Sequence, residues 1–190
     1  MVGIKVSVLD KNPNLLNTPN ATYYLELGMA GEQPHDPFDL ITKITECSPG
    51  DEGMDIWLEA LDTFFCGDTE LIEYVQKVIG LAAIGKVYEE FIIIAYGDGA
   101  NGKSTFWNTV ARVLGTYAGK ISSDILTMGN KVNAQPEMAE LNGKRLIIAS
   151  EMQEGVRLNT AMVKQLSSTD EIQAWKNNKD TCDFVPSHHV

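Results

Sequence analysis

One stretch of eight residues constrains this chain more than any other: Gly97-Asp98-Gly99-Ala100-Asn101-Gly102-Lys103-Ser104. It has the form G-x-x-x-x-G-K-[ST], a phosphate-binding P-loop. Three glycines let the backbone turn tightly and aim its N–H groups at phosphate oxygens. A helix that starts near Lys103 adds its positive dipole end. In such a loop Lys103 reaches the β- and γ-phosphates, and the hydroxyl of Ser104 ligates Mg²⁺. The residues expected to line the nucleotide are therefore Gly97, Asp98, Gly99, Ala100, Asn101, Gly102, Lys103, Ser104 and Thr105.

The flanks suit the loop. Phe91-Ile92-Ile93-Ile94-Ala95 is a continuous apolar run, which predicts a strand buried on both faces. Phe106, Val110, Val113 and Leu114 recur at helical spacing after it, and Gly115 stands where the helix should be capped. Strand, glycine loop and helix together form the context that the motif requires.

With 190 residues, 44% of them hydrophobic, the chain can build one core or one core with an accessory lobe. No apolar run approaches the ~20 residues of a membrane span, and the N-terminus lacks the pattern of a secretory signal. Cys47, Cys66 and Cys182 have no metal spacing, and the expectation is buried thiols in a reducing cytoplasm. The net charge of −11 is unevenly spread: residues 1–95 hold 5 basic and 16 acidic side chains, residues 96–190 hold 10 of each. The first half is therefore a poor nucleic-acid surface, while the second half can be one if its basic residues cluster.

Residues 1–50 read as short strands and turns. The expected strands are Ile4 to Val8, Tyr23 to Leu27 and Phe38 to Ile44, with His35 in a solvated loop. Residues 51–88 change character. Ile56, Trp57, Leu61, Phe64 and Phe65 share one helical face, Gly67 ends that helix, and Asp68 caps a second helix that runs to Gly85. This is an αα-hairpin, either a lobe packed on the core or a collar between subunits. Residues 89–190 form the P-loop core. In it, residues 116–144 read as a connection in which Pro136 opens a short helix and Asn142-Gly143 makes a turn.

A second apolar strand, Arg145 to Ser150, ends in Glu151. A P-loop ATPase needs a carboxylate at the C-terminal end of a neighbouring parallel strand, to hold Mg²⁺ through water or to polarise the attacking water. Glu151 stands in that place. Only Ser150 precedes it, so Glu151 either combines both duties or shares them with Glu154. Asn159 then caps a helix to about Leu166. Glu171 to Trp175 and Thr181 to Val185 form a β-hairpin around Lys176-Asn177-Asn178-Lys179-Asp180. His188 and His189, adjacent on a strand, would point to opposite faces and make poor metal co-ligands.

The order of these features resembles a known family. A helical lobe, Gly-Asp-Gly-Ala-Asn-Gly-Lys-Ser-Thr, Leu-Ile-Ile-Ala-Ser-Glu, Val-Lys-Gln-Leu-Ser-Ser-Thr-Asp-Glu-Ile and a lysine-tipped hairpin follow one another as in the helicase module of phage and plasmid primase-helicases, among the superfamily-3 (AAA+-related) helicases. Pro34 to Lys43 also resembles the segment that precedes the ATPase there. The resemblance implies an α/β fold, with an AAA+-like P-loop NTPase core on a parallel sheet and a small β-containing and helical lobe before it. It implies Mg·ATP hydrolysis with Lys103 and Glu151 catalytic, Ser104 and Glu151 at the metal, and translocation on single-stranded DNA. Lys176 and Lys179 then become strand contacts in the channel of a homo-hexameric ring, where mobile charges follow phosphates without reading bases. Arg157 and Lys164 become candidate γ-phosphate sensors, and the location becomes the cytoplasm of a bacterial host.

In that family a polar sensor and an arginine finger follow the hairpin. This sequence ends at Val190, which implies a truncated module. The rivals are a nucleotide-binding assembly module without turnover and a P-loop kinase of a small substrate. The kinase would need an arginine-rich lid, yet Arg112, Arg145 and Arg157 are scattered.

Overall fold

The computed structural model describes residues 8–129, 133–150, 152, 155–175 and 181–190. Its architecture is mixed α/β. Two strands, β4 (Ala118–Ser122) and β5 (Leu146–Ser150), pair in parallel with Ala118 opposite Leu146 and Ser122 opposite Ser150. The chain end extends this sheet. His189 bridges Leu146 in parallel, its N–H donates to the Arg145 carbonyl, and the Ile147 N–H donates to the His189 carbonyl. Beyond it, the Ile93 N–H donates to the Val190 carbonyl at 2.7 Å, and the Phe91 ring stacks on His189. The order across the sheet is thus 118–122, 146–150, 188–190, 91–93.

Period-two alternation in β5 divides the core. Leu146 and Ile148 face one cluster, with Leu16, Leu61, Phe106, Val110, Leu114 and Tyr117. Ile147 and Ala149 face the other, with Ile121, Met138, Leu166, Ile172 and Phe184. The sheet is therefore covered on both sides, which is what lets β5 be an uninterrupted apolar run. Helices α1 (Met54–Phe64), α2 (Thr69–Leu81) and α3 (Lys103–Leu114) take the first face, together with the N-terminal strands. On the second lie α4 (Gln135–Glu140), α5 (Thr160–Ser167) and the antiparallel hairpin of β6 (Ile172–Trp175) and β7 (Thr181–Phe184).

Local chemistry explains the boundaries. The Asp68 carboxylate accepts from the Leu71 N–H at 3.0 Å and caps α2, after Gly67 has turned with φ +73°. Asn159 caps α5 through the Met162 N–H at 3.2 Å. Pro136 lies in the first turn of α4, where its missing N–H costs nothing. Three small strands, β1 (Leu15–Asn17), β2 (Thr22–Tyr24) and β3 (Glu32–Gln33), form an antiparallel sheet in the N-terminal part.

Several expectations are corrected. Phe91 to Ala95 is not a strand buried on both faces. It makes the one backbone bond to Val190, and Ile94 is 60% exposed because no ladder covers it. Tyr23 to Leu27 is extended only as far as Tyr24, and a 3-10 segment begins at Leu25. Phe38 to Ile44 is not a strand: Pro37–Asp39 form a 3-10 turn capped by Asp36, and Phe38 stands in solvent. Strands β1 and β4 arise where none was expected. Cys47 and Cys66 are exposed rather than buried. Val113 and Ile56 face outward from α3 and α1. Most of the Ile4 to Val8 strand lies outside the described residues. No helix among the described residues is long and apolar enough to cross a membrane.

Candidate phosphate-binding site

The glycine loop leaves the sheet where the 91–93 segment ends and enters α3 directly. Gly97, Ala100 and Gly102 all take positive φ, at +147°, +58° and +83°. At Gly97 the φ of +147° favours glycine, and an added Cβ would also push aside the Asn101 side-chain nitrogen, 2.6 Å away. At Gly102 a Cβ would fall within the ring of Phe64. The two glycines are needed for different reasons: one for a contact inside the loop, one for a contact with α1.

Lys103 opens α3 but turns back over the loop. Its Nζ donates to the Gly97 carbonyl at 2.9 Å, the Asp98 carbonyl at 2.9 Å and Asn101 Oδ1 at 2.7 Å. The cation is thus held at the mouth of the loop by three neutral oxygens. No side chain caps the start of α3 in the usual way, since Gly102 is the residue before it. The N–H groups of its first turn point out of the helix beside the lysine, an arrangement that suits an anion. Asp98, Gly99, Ala100, Asn101, Ser104 and Thr105 are exposed around this mouth.

The two further groups that the sequence assigns to this chemistry stand differently. The C-terminal end of β5 lies on the same side of the sheet as the glycine loop: the pairing Ser122 with Ser150, and Phe91 beside His189 before Ile93 meets Val190, runs all four segments in one sense. Glu151 itself, Glu154, Lys176 and Lys179 lie outside the described residues. Arg157 and Lys164 are exposed, on the segment before α5 and on α5.

Sequence reasoning missed two side chains, one at the loop end of the sheet and one at the opposite end of β5. Glu137, in the first turn of α4, accepts from the Ser122 N–H at 2.9 Å and so places a carboxylate at the C-terminal end of β4. Its signal was the acid two residues into a proline-started helix. By sequence Arg145 stands at the start of the second apolar strand, as one of three scattered arginines. It is 5% exposed, donates to the Leu15 carbonyl at 2.6 Å and to the Ala83 carbonyl, and lies 4.3 Å over the Tyr117 ring. Burial lowers its guanidinium from the ordinary value, with Tyr117 and Asp10 pulling the other way. No sequence pattern announces such a residue, because its three partners come from distant parts of the chain.

His188 is 1% exposed, and burial takes its imidazole down to about 4, against the nearby Leu166 backbone, which favours the charged form. His189 is also lowered by burial, opposed by a Lys86 backbone contact. Both are neutral core residues. Among the described residues no three His, Cys, Asp or Glu side chains converge as a metal cluster would require.

Residues 3–66 match the family described as D5 N terminal like. The whole chain resembles a protein of Acanthamoeba polyphaga mimivirus named "Putative helicase L207/L206", with 27% identity over 186 residues. That alignment takes in 94% of this chain but 19% of the mimivirus protein, so the chain spans about a fifth of its relative's length. Residues 95–190, half of the chain and all of it from the glycine loop onward, match the family of unknown function DUF5906, and the chain belongs to that family.

Proposed function

We propose that this chain carries the ATP site of a helicase-related replication protein, and that the Gly97–Thr105 loop binds the phosphates of Mg·ATP. The observation that carries the reading is the lysine. Lys103 Nζ is gathered onto three neutral oxygens at the mouth of a loop whose backbone turns toward the start of α3. A phosphate offers the same ammonium charged oxygens, a stronger acceptor set than carbonyls. The positive φ values at Gly97, Ala100 and Gly102 turn the backbone tightly, as a nest of N–H groups around an anion requires. A name of "helicase" on the mimivirus relative and the match to the D5 N terminal like family support the replication setting.

In this reading Ser104 would ligate Mg²⁺, and Glu151 would orient the attacking water or share in holding the metal. The metal supplies charge neutralisation at the phosphates when bound. Lys103 and the loop N–H groups stabilise the charge that builds on the transferred phosphoryl group. Arg157 and Lys164, both exposed, are available as γ-phosphate sensors within a ring or between its subunits. Lys176 and Lys179 would follow the phosphates of single-stranded DNA, and the assembly would be a hexamer. A small-substrate kinase is disfavoured on a specific ground: Arg145, one of only three arginines, is buried and spent on backbone carbonyls.

Two experiments test this. Lys103→Ala should lower ATP affinity by about a hundredfold or more while circular dichroism stays that of the parent; unchanged affinity would remove the phosphate site. ATP turnover should rise on adding single-stranded DNA. Turnover that ignores DNA but consumes a small phosphate acceptor would replace the helicase reading with the kinase one.

A further inference from the structure

The ring of Phe64 occupies the space where a side chain on Gly102 would stand. Phe64 is the last residue of α1, so a helix of the N-terminal lobe ends directly against the residue that starts the phosphate-loop helix. Gly102 is held from its other side as well, since its carbonyl accepts from the Phe106 N–H at 2.9 Å. Phe106 in turn is the centre of an aromatic cluster. Trp57 of α1 stacks on it at 5.8 Å, and Phe65, the residue after Phe64, meets it edge-on at 5.6 Å. Phe106 is 3% exposed, so this cluster is core. The lobe and the first turn of α3 therefore share one packed unit, and the phosphate loop cannot shift at Gly102 without moving the Phe64 ring. Interiors packed in this way transmit displacements rather than absorb them.

We propose that Phe64 is a positioning residue for the phosphate loop: it sets the place of Gly102, and with it the first N–H groups of α3, and it couples the helical lobe to what the loop binds. The inference rests on reading Gly97–Thr105 as an ATP phosphate site. It adds to that reading a route from nucleotide to lobe, and it gives the position of α1 a function besides burial of Leu61.

Trp57 is a built-in reporter. In a Trp107→Phe, Trp175→Phe background it is the only tryptophan left, and its emission should change when Mg·ATP saturates the loop. Phe64→Ala should weaken ATP binding about tenfold, the scale of a sub-ångström misplacement of binding groups, and should abolish the Trp57 response even at saturating nucleotide. Phe64→Leu refills part of the space and should restore most of both. A merely structural role would lower the melting temperature of Phe64→Ala and leave the saturated Trp57 response as in the parent. That result, or ATP affinity within twofold of the parent, overturns the inference. If Phe64→Ala does not fold, Phe64→Leu and the parent's own Trp57 response decide it: a silent Trp57 at saturating ATP overturns it equally. Failure of the folded parent to bind ATP at all is a separate outcome, which removes the phosphate site and the inference together.

Discussion

His188 shows how much a single position can depend on its surroundings. On the sequence it is one of two adjacent terminal histidines, and in the structure it is a neutral core side chain whose imidazole is held down to about 4. The unfolded chain returns it to the ordinary value of 6.5. Above the ordinary value both states are neutral and the full stability is present. As pH falls from there toward 4, the unfolded chain takes up the proton and the folded chain does not, so stability is lost across that window. The loss amounts to roughly 3 kcal/mol by the bottom of it. Urea midpoints at about pH 7.5 and about pH 5 should differ in the parent, and His188→Leu should flatten this difference. An unchanged difference in the variant would assign the acid sensitivity elsewhere. Other single residues were legible in advance by local rules. Gly67, Gly102, Gly115 and Gly143 all take the positive φ that a turn or helix end asks of glycine. Ala100, which does so without being glycine, was not.

At the scale of elements, helices were easier to read than strands. Helix α2 carries its start signal in Asp68, which bonds the Leu71 N–H, but it stops at Leu81, short of the Gly85 that the apolar stripe reaches. Replacing that cap by alanine should cost about 1 kcal/mol, because one N–H of the first turn loses its acceptor. A thermal melt of Asp68→Ala checks it, and Asp68→Asn should recover most of the loss. Strands depend on partners that lie far away in sequence. Residues 118–122, Ala-Gly-Lys-Ile-Ser, show no strong strand pattern, yet they pair along their whole length with 146–150. The apolar run 91–95 has the stronger pattern and gains only one backbone bond to the chain end. Propensity describes a half-buried surface, and which surface becomes half-buried is decided elsewhere.

For the molecule as a whole, Arg145 is the joint. It reaches from the start of β5 to the carbonyls of Leu15 in β1 and Ala83 beyond α2, and it covers the Tyr117 ring. The Tyr117 hydroxyl, in turn, accepts from the Asn17 N–H at 3.0 Å. The N-terminal sheet, the helical lobe and the parallel sheet all meet at this guanidinium. Arg145→Met keeps apolar bulk but leaves a buried and a half-buried carbonyl without donors, and should destabilise by about 3 kcal/mol. Arg145→Lys should recover little of this, because an ammonium cannot reproduce the planar fork or the stacking on the ring. Chemical denaturation of both variants tests the claim, and a full rescue by lysine would reduce the joint to a simple charge.

Residue order alone was enough for the glycine loop, the helix it opens, the caps of α2 and α5, the apolar run of β5 and the hairpin at the end. All but β5 rest on contacts close in sequence, where backbone geometry and side-chain type are enough; β5 was legible only as an apolar run that needs cover, its partners being distant. Only the tertiary structure decided the order of segments across the sheet, the meeting of Phe64 with Gly102, the burial of Arg145 and His188, and the exposure of Cys47 and Cys66. These depend on which distant surfaces pack together, and a local pattern states that a face must be covered without stating by what.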